Sequence, residues 1–382
     1  MKATRKKIAL VFLFSVFAIG FSFSQKMALA NENGKFGYIN KEGTWVIEPQ
    51  FKVAKNFSSE CNLAEATING DDWGFINRKG EWVIEPQFDK TKAFNSDIAV
   101  VLKDKQWFFI NTKGEKILTN VNSDKIYDFK EGFSIIRQGD FVGFMNTSGD
   151  IVIEPKFTKV FNFINGYSKI REGDKWGLID TKGNYFVKPE YDKISNVYNG
   201  NVIASKGETH GIIIEGKFQA ISGAQKIWDF SVNKDYTYAK KDDLWGFIDN
   251  KGNWIVEPKY DKVRAFKNGL APVAKNKKWG YINLKGEEII PLKFKDAEIF
   301  STDGLAPVKI NKLWGFVNSK GDLVIEDKYA ITAGGFSIFQ KNNQKGFIDG
   351  LARVKDKKEW VYINTEGKVL NNKKYKHLEI FK

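Results

Sequence analysis

The sequence predicts an all-β fold made of tandem repeats, and three observations carry that prediction. One unit of 34 or 35 residues recurs through most of the 382-residue chain. Each copy has a short polar turn ending in glycine between two β-favouring runs. The middle strands are apolar on both faces, so one copy cannot shield itself from water.

The period is read from the pair Trp73-Gly74, which opens the string WGFINRKGEWVIEPQF. Close copies begin at Trp176, Trp245 and Trp314. The glycine of the pair, or its substitute, falls at positions 37, 74, 108, 143, 177, 211, 246, 280 and 315, so that the first interval is 37 and the rest are 34 or 35. Repeats of this length mark stacked or radial architectures. The beat then breaks: Gly346 follows Gly315 by 31 residues and Val361 follows by 15, which reads as a deletion of about 20 residues fusing two units. The array therefore has about ten units over 31–382, degenerate near 198–235 and shortened near 336–375.

Each element follows from its residues. In Asn283-Leu284-Lys285-Gly286 the Asx side chain bonds its own backbone, and the glycine accepts positive φ. That is a type I turn closed by a G1 bulge, and it recurs at Asn40/Gly43, Asn77/Gly80, Asp180/Gly183, Asp249/Gly252 and Asn318/Gly321. Upstream, Leu270-Ala271-Pro272-Val273 reads as a third strand whose proline suits an edge. Downstream, Tyr260 to Phe266 forms a connector, giving a three-stranded antiparallel unit. Phe75 and Ile76, like Val83 and Ile84, point to opposite faces, and only a neighbouring repeat covers both. About ten copies exceed the usual 4–8 blades of a propeller. The expectation is therefore an open or superhelical β-solenoid, with a propeller-like closed array as the alternative.

These strings resemble the WG-repeat family, also described as the KWG repeat, over roughly residues 34–375. The resemblance rests on the Trp-Gly pair, the Asn/Asp-x-Lys-Gly turn, the Val-Ile-Glu-Pro strand and the Gly-Leu-Ala-Pro-Val segments at Gly269–Val273 and Gly304–Val308. It implies a β-rich scaffold, often exported, with no shared reaction. Phe36 in place of Trp, Phe108 in place of Gly and Val142 in place of Trp depart from the pattern.

The first thirty residues read as an export signal. Lys2, Arg5, Lys6 and Lys7 precede the apolar run Ile8 to Phe23, and Ala28-Leu29-Ala30 has the small-x-small spacing that signal peptidase cuts after. The run is 16 residues, short of the roughly 20 that span a bilayer. Cleavage after Ala30 removes five cations and no acid, so the formal charge falls from +14 to +9. In an exported chain that surplus points to an anionic cell-envelope polymer and away from nucleic acid, with membrane contact only during export.

Chemistry-bearing residues are few. A single cysteine, Cys61, excludes an intrachain disulfide, and His210 and His377 are the only histidines. No P-loop, dinucleotide fingerprint, HExxH or EF-hand loop is present, so no cofactor or metal is expected. Glu48, Glu85, Glu154, Glu257 and Glu326 recur with the repeat, which fits a structural contact better than catalysis. The Trp-Gly tryptophans read as core filling. Trp45, Trp82 and Trp254, two residues after the turn glycine, share a position that elsewhere holds Lys116 or Glu288, and are the candidate ligand-binding surface. The reading is a secreted, non-catalytic repeat scaffold for a protein or cell-envelope polymer. The alternative is a cell-wall glycan hydrolase using paired carboxylates.

Overall fold

The Asx-to-glycine turns form as their residues dictate. The computed structural model describes residues 26–117, 119, 121–330 and 345–382. In the second unit the Gly80 N–H donates to the Asn77 carbonyl at 3.0 Å. The Asn77 side-chain oxygen accepts from the N–H groups of Lys79 and Glu81 at 2.9 and 3.1 Å. Gly80 takes a φ of +84°, and the flanking strands Trp73–Ile76 and Trp82–Phe88 pair with the register shifts of a bulge.

The strand Ala64–Thr67 pairs antiparallel with Trp73–Ile76, as the sequence predicts. A further strand precedes it: Val53–Ala54 pairs with Thr67 and Ala66. Eight of the ten sheets have four strands, seven of them in sequential order and one completed by the last strand of the chain, and two have three, so the three-stranded unit is corrected to four. The extra strand is two residues long inside the connector, too short to show an alternation in sequence.

The open stack is also corrected, because the ring closes. The last strand, His377–Leu378, pairs with the first, Ala28–Glu32, through Ala30↔Leu378 and Asn31↔His377. Around it the Met27 N–H donates to the Lys382 carbonyl at 3.0 Å and the Glu379 N–H to that of Leu29 at 2.8 Å. Both ends of the described chain thus build blade one of a ten-bladed β-propeller. Among the described residues there is no α-helix, only a 3-10 turn at Leu370–Asn372. None of their helices is long and apolar enough to cross a membrane, and the run Ile8 to Phe23 lies outside them.

Consecutive blades clamp through aromatic pairs. At seven seams an aromatic ring of the Trp-Gly strand meets one from the segment opening the next blade: Tyr38–Phe57, Phe75–Phe94, Phe109–Phe129, Phe144–Phe163, Phe247–Phe266, Tyr281–Phe300 and Phe316–Phe347, all at 4.5–5.3 Å. The closing seam repeats the motif with Tyr362 and Phe381 at 4.7 Å. Each ring removes a large apolar area from water that a lone blade would expose.

Two further expectations change. Ile76 is fully buried, but Val83 is 43 % exposed, as are its equivalents Val46, Val152, Phe186, Ile289 and Val324 to about the same degree. The fourth strand buries only one face, represented by Ile84 and Phe88, because it is the free edge of its blade. The apparent deletion after Gly315 is an insertion. Phe347–Ile348 and Leu351–Asp356 are the first two strands of blade ten, and Gly315 and Val361 are successive equivalents 46 residues apart, with the extra residues falling at or near 331–344, outside the described residues.

Ala28 and Ala30 sit in the buried first strand, with Leu29 between them also buried. A cut after Ala30 would remove three of that strand's five residues and the backbone partners of Glu379 and Lys382. The ring-closing seam therefore conflicts with a mature chain that starts at Asn31.

Candidate functional site

The Trp-Gly pair has a structural explanation at each of its residues. A Cβ at Gly246 would lie 2.7 Å from the Pro258 nitrogen and 2.9 Å from the Glu257 carbonyl carbon, and closer still to the Val256 carbonyl oxygen. The bulged fourth strand crosses directly over this glycine. In blade three Phe108 takes the position, and the fourth strand shrinks to Lys116–Ile117. The adjoining tryptophans are mostly half-buried, with cations over their rings: Arg264 over Trp279 and Arg353 over Trp360, both at 4.4 Å, and Lys309 over Trp314 at 6.0 Å. Trp107 is the most open of them, at 40 %.

Trp45, Trp82 and Trp254 are not an open platform. Trp82 meets Phe51 of the preceding blade edge-on at 5.8 Å, Trp45 meets Tyr375 at 6.1 Å, and Trp254 packs against the Ile203, Ile212 and Ile221 core of blade six. All three are half-buried in seams. The position tolerates charge because a long stem can leave the seam where an indole fills it.

The recurring glutamates stand one to a blade. Glu48, Glu85, Glu154, Glu257 and Glu326 are all exposed on separate fourth strands. Cys61 packs in blade two, where burial pushes its thiol up, and His210 belongs to blade six, so the two form no dyad. Among the described residues no group of three or more His, Cys, Asp or Glu is placed to hold a metal ion.

Blade six departs furthest from the repeat and borders a cavity. Its strands are Lys193–Ile194, Val202–Lys206, Thr209–Ile214 and Lys217–Ala220. The Asx-x-x-Gly turn is replaced by Glu215-Gly216, both at positive φ, a two-residue type I′ signature. The fourth strand then pairs without a bulge and is four residues long, against seven in most blades. His210 stands where other blades have tryptophan, and its cross-strand partner is Ser205, where blades five and seven place Arg171 and Lys240. Both changes remove volume. A cavity of about 550 Å³ lies beside them, walled by Lys193, Ser205 and His210 on one side and by Lys226, Trp228 and Asp229 of blade seven on the other.

Three side chains on one face form a row across adjacent strands, because Lys193 pairs with Ser205 and Ser205 with His210. Ser205 is 2 % exposed, and its hydroxyl makes no hydrogen bond. His210 Nδ1 lies 2.9 Å from the Glu208 carbonyl, which requires Nδ1–H and leaves Nε2 as the acceptor in the neutral ring. Trp228 stacks on Tyr238 at 5.4 Å and 16°, with Lys226 5.1 Å from its centroid. The lost tryptophan and lost turn were legible in sequence; Ser205, Lys193, Lys226 and Trp228 were not, because only cross-strand register and the next blade bring them to His210. A larger recess of about 840 Å³ lies beside the closing seam, lined by Lys26, Lys382, Arg78, Glu60 and Glu65 among others.

A sequence profile described as "WG containing repeat" matches eight segments, 36–70, 73–107, 107–140, 143–176, 176–209, 245–279, 279–314 and 314–344. The chain belongs to the WG-repeat family. Within this WG-repeat ring the internal stretch that the profile passes over, 210–244, contains most of the third and all of the fourth strand of blade six. No curated protein matches the sequence. Among solved structures, a eukaryotic initiation factor overlaps with a TM-score of 0.46 at 11 % identity, covering 78 % of this chain and 95 % of that one. The dihydro-heme d1 dehydrogenase NirN overlaps at 0.36 and 9 %, covering 91 % and 72 %, and BamB from Moraxella catarrhalis at 0.28 and 11 %, covering 91 % and 90 %. Overlaps this low carry no argument about what the WG-repeat ring does.

Proposed function

We propose that the protein is an exported, non-catalytic ring scaffold that holds an anionic polymer of the cell envelope. A repeat propeller suggests a scaffold or binding role in general. The observation that carries the finer reading is the distribution of chemistry over the ring. The recurring fourth-strand glutamates stand singly on five separate blades, whereas lysines are seated over aromatic rings in blade after blade, as Lys55 at Trp73, Lys159 at Trp176, Lys309 at Trp314 and Lys355 at Trp360. Such repeated cation–aromatic spots give a long acidic chain many weak, equivalent contacts, whose sum gives avidity. The basic surplus of the whole chain acts in the same direction.

Export is part of the proposal. The ring-closing strand needs Met27 to Ala30, so processing falls ahead of Met27. Ser22-Phe23-Ser24 has the same small-x-small spacing as Ala28-Leu29-Ala30 and leaves that strand whole. Retention of the purified protein on envelope polysaccharide, released by raising salt from about 0.05 to 0.5 M, is the expected result. Retention unaffected by salt, or turnover of the polysaccharide abolished by Glu85→Gln or Glu257→Gln, overturns the reading.

A further inference from the structure

We infer that the cavity between blades six and seven is a binding site for a single carboxylate-bearing sugar unit. The inference deepens the envelope-polymer reading and rests on it for where such a ligand is met.

The lining of this cavity differs from that of the neighbouring blades by the loss of a repeated side chain. In neighbouring blades the same cross-strand row reads Lys159–Arg171–Trp176 and Lys226–Lys240–Trp245. In blade six it reads Lys193–Ser205–His210. The indole and the long cation that cover it elsewhere are both gone, and small polar groups line the space. Directly opposed residues on one sheet face stand about 5 Å apart, so the three groups face one ligand together.

Ser205 carries the second, independent argument. A hydroxyl buried without a partner costs free energy that a satisfied one does not, on the scale of one lost hydrogen bond. Ser205 is buried, unbonded and lines the cavity. A ligand hydroxyl satisfies it. With Nδ1 engaged by the Glu208 carbonyl, Nε2 is the nitrogen left for a ligand, an acceptor in the neutral ring. The absent Ser205–His210 hydrogen bond leaves the hydroxyl without the activation a nucleophile needs, so the row binds and does not cleave.

Charge and shape set the ligand class. Lys193 and Lys226 outnumber Asp229 by one, which matches one carboxylate. Ile194, Ile203, Ile227 and the indole of Trp228 offer an apolar wall to the C–H face of a pyranose. The volume lies within the range of small-ligand pockets. An acidic sugar joins these features in one molecule: a carboxylate, several hydroxyls and an apolar ring face.

The test is titration of the whole ring with sodium glucuronate and with methyl glucoside, followed by tryptophan fluorescence and by NMR of the sugar. Binding of glucuronate is expected with a Kd on the order of 1 mM, as suits so small a ligand, and at least about tenfold weaker for methyl glucoside. His210→Trp restores the residue other blades carry and fills the site; it should keep the fold and abolish glucuronate binding. Lys193→Ala, on an exposed stem, should weaken binding about tenfold and covers the case in which the filled variant fails to fold. Equal binding by native and His210→Trp proteins overturns the inference, as does a native protein that ignores glucuronate at about 50 mM, well above that Kd. If the ring holds acidic polysaccharide with or without the substitution, the scaffold reading stands and the pocket inference fails. Loss of polysaccharide retention in the native protein fails the scaffold reading instead.

Discussion

Replacing Gly246 by alanine tests the account of the Trp-Gly pair at its sharpest point. Gly246 has negative φ, so alanine meets no backbone penalty there, and a Gly→Ala change at a permissive site stabilises by about 0.4–1 kcal/mol through the unfolded chain. The structure puts the new Cβ at 2.7 and 2.9 Å from backbone atoms of Pro258 and Glu257, with the Val256 oxygen nearer still. Backbone in a paired strand does not rotate away as a side chain does, so the fourth strand must move out by several tenths of an ångström. Overpacking of that kind costs about 1–3 kcal/mol, occasionally more. The net is a loss of about 1.3 kcal/mol. An unfolding entropy of about 2.1 cal/mol/K per residue over roughly 350 residues gives about 0.7 kcal/mol/K, so calorimetry should show the melting temperature falling by about 2 °C if the ring unfolds as one unit. An unchanged or raised melting temperature refutes the close-approach argument, because the sign alone separates a clash from a permissive site.

Further predictions concern charge and closure. Glu65 is buried, and desolvation raises its pKa above the unfolded value, so its favourable contribution is complete below the unfolded pKa near 4.3 and is lost as pH rises through the higher folded value. Glu65→Gln should therefore raise the urea midpoint at pH 7 and change it little at pH 4; an equal gain at both removes desolvation as the cause. Glu379 is held below the usual carboxylate range, first by the hydrogen bond from His377, so its contribution is present above the unfolded pKa and is lost as pH falls through the folded one. Its replacement by Gln should destabilise the ring at pH 7 and matter less at pH 3. Deleting residues 377–382 removes the last strand, Leu378 and the Phe381 ring from the closing seam, and should lower stability by about 5 kcal/mol from lost hydrogen bonds and buried apolar area. A ring as stable as the full chain would show that this seam does not hold it shut. N-terminal sequencing of protein recovered outside the cytoplasm should begin at or before Met27; a start at Asn31 would sink the argument from the first strand.

Much of the fold could be read in advance because its signals are local. Asn77 bonds backbone groups within four residues of itself, and Gly80 answers a φ that only the next few residues impose. The burial of Phe75 and Ile76 followed from a strand apolar on both faces. Val83 shows where this stops: its residue type matches Ile84, and only its place on a blade's free edge leaves it in water. The site was half legible. The degenerate stretch near 198–235 marked the blade, whereas Lys193, Ser205 and Trp228 meet His210 through cross-strand register and through the next blade, which no single repeat encodes.

By itself the sequence determined the period, the hairpins and the need for each blade to lean on another, because turn chemistry and side-chain alternation act over a few residues. The tertiary structure alone decided that the stack turns back on itself after ten blades. Closure depends on a small rotation at every seam, set by how rings such as Tyr281 and Phe300 interlock, and summed around the molecule until Leu378 meets Ala30. A sum of many packing angles has no local signature, so neither the ring nor the role of Met27 to Ala30 in sealing it was written in any one repeat.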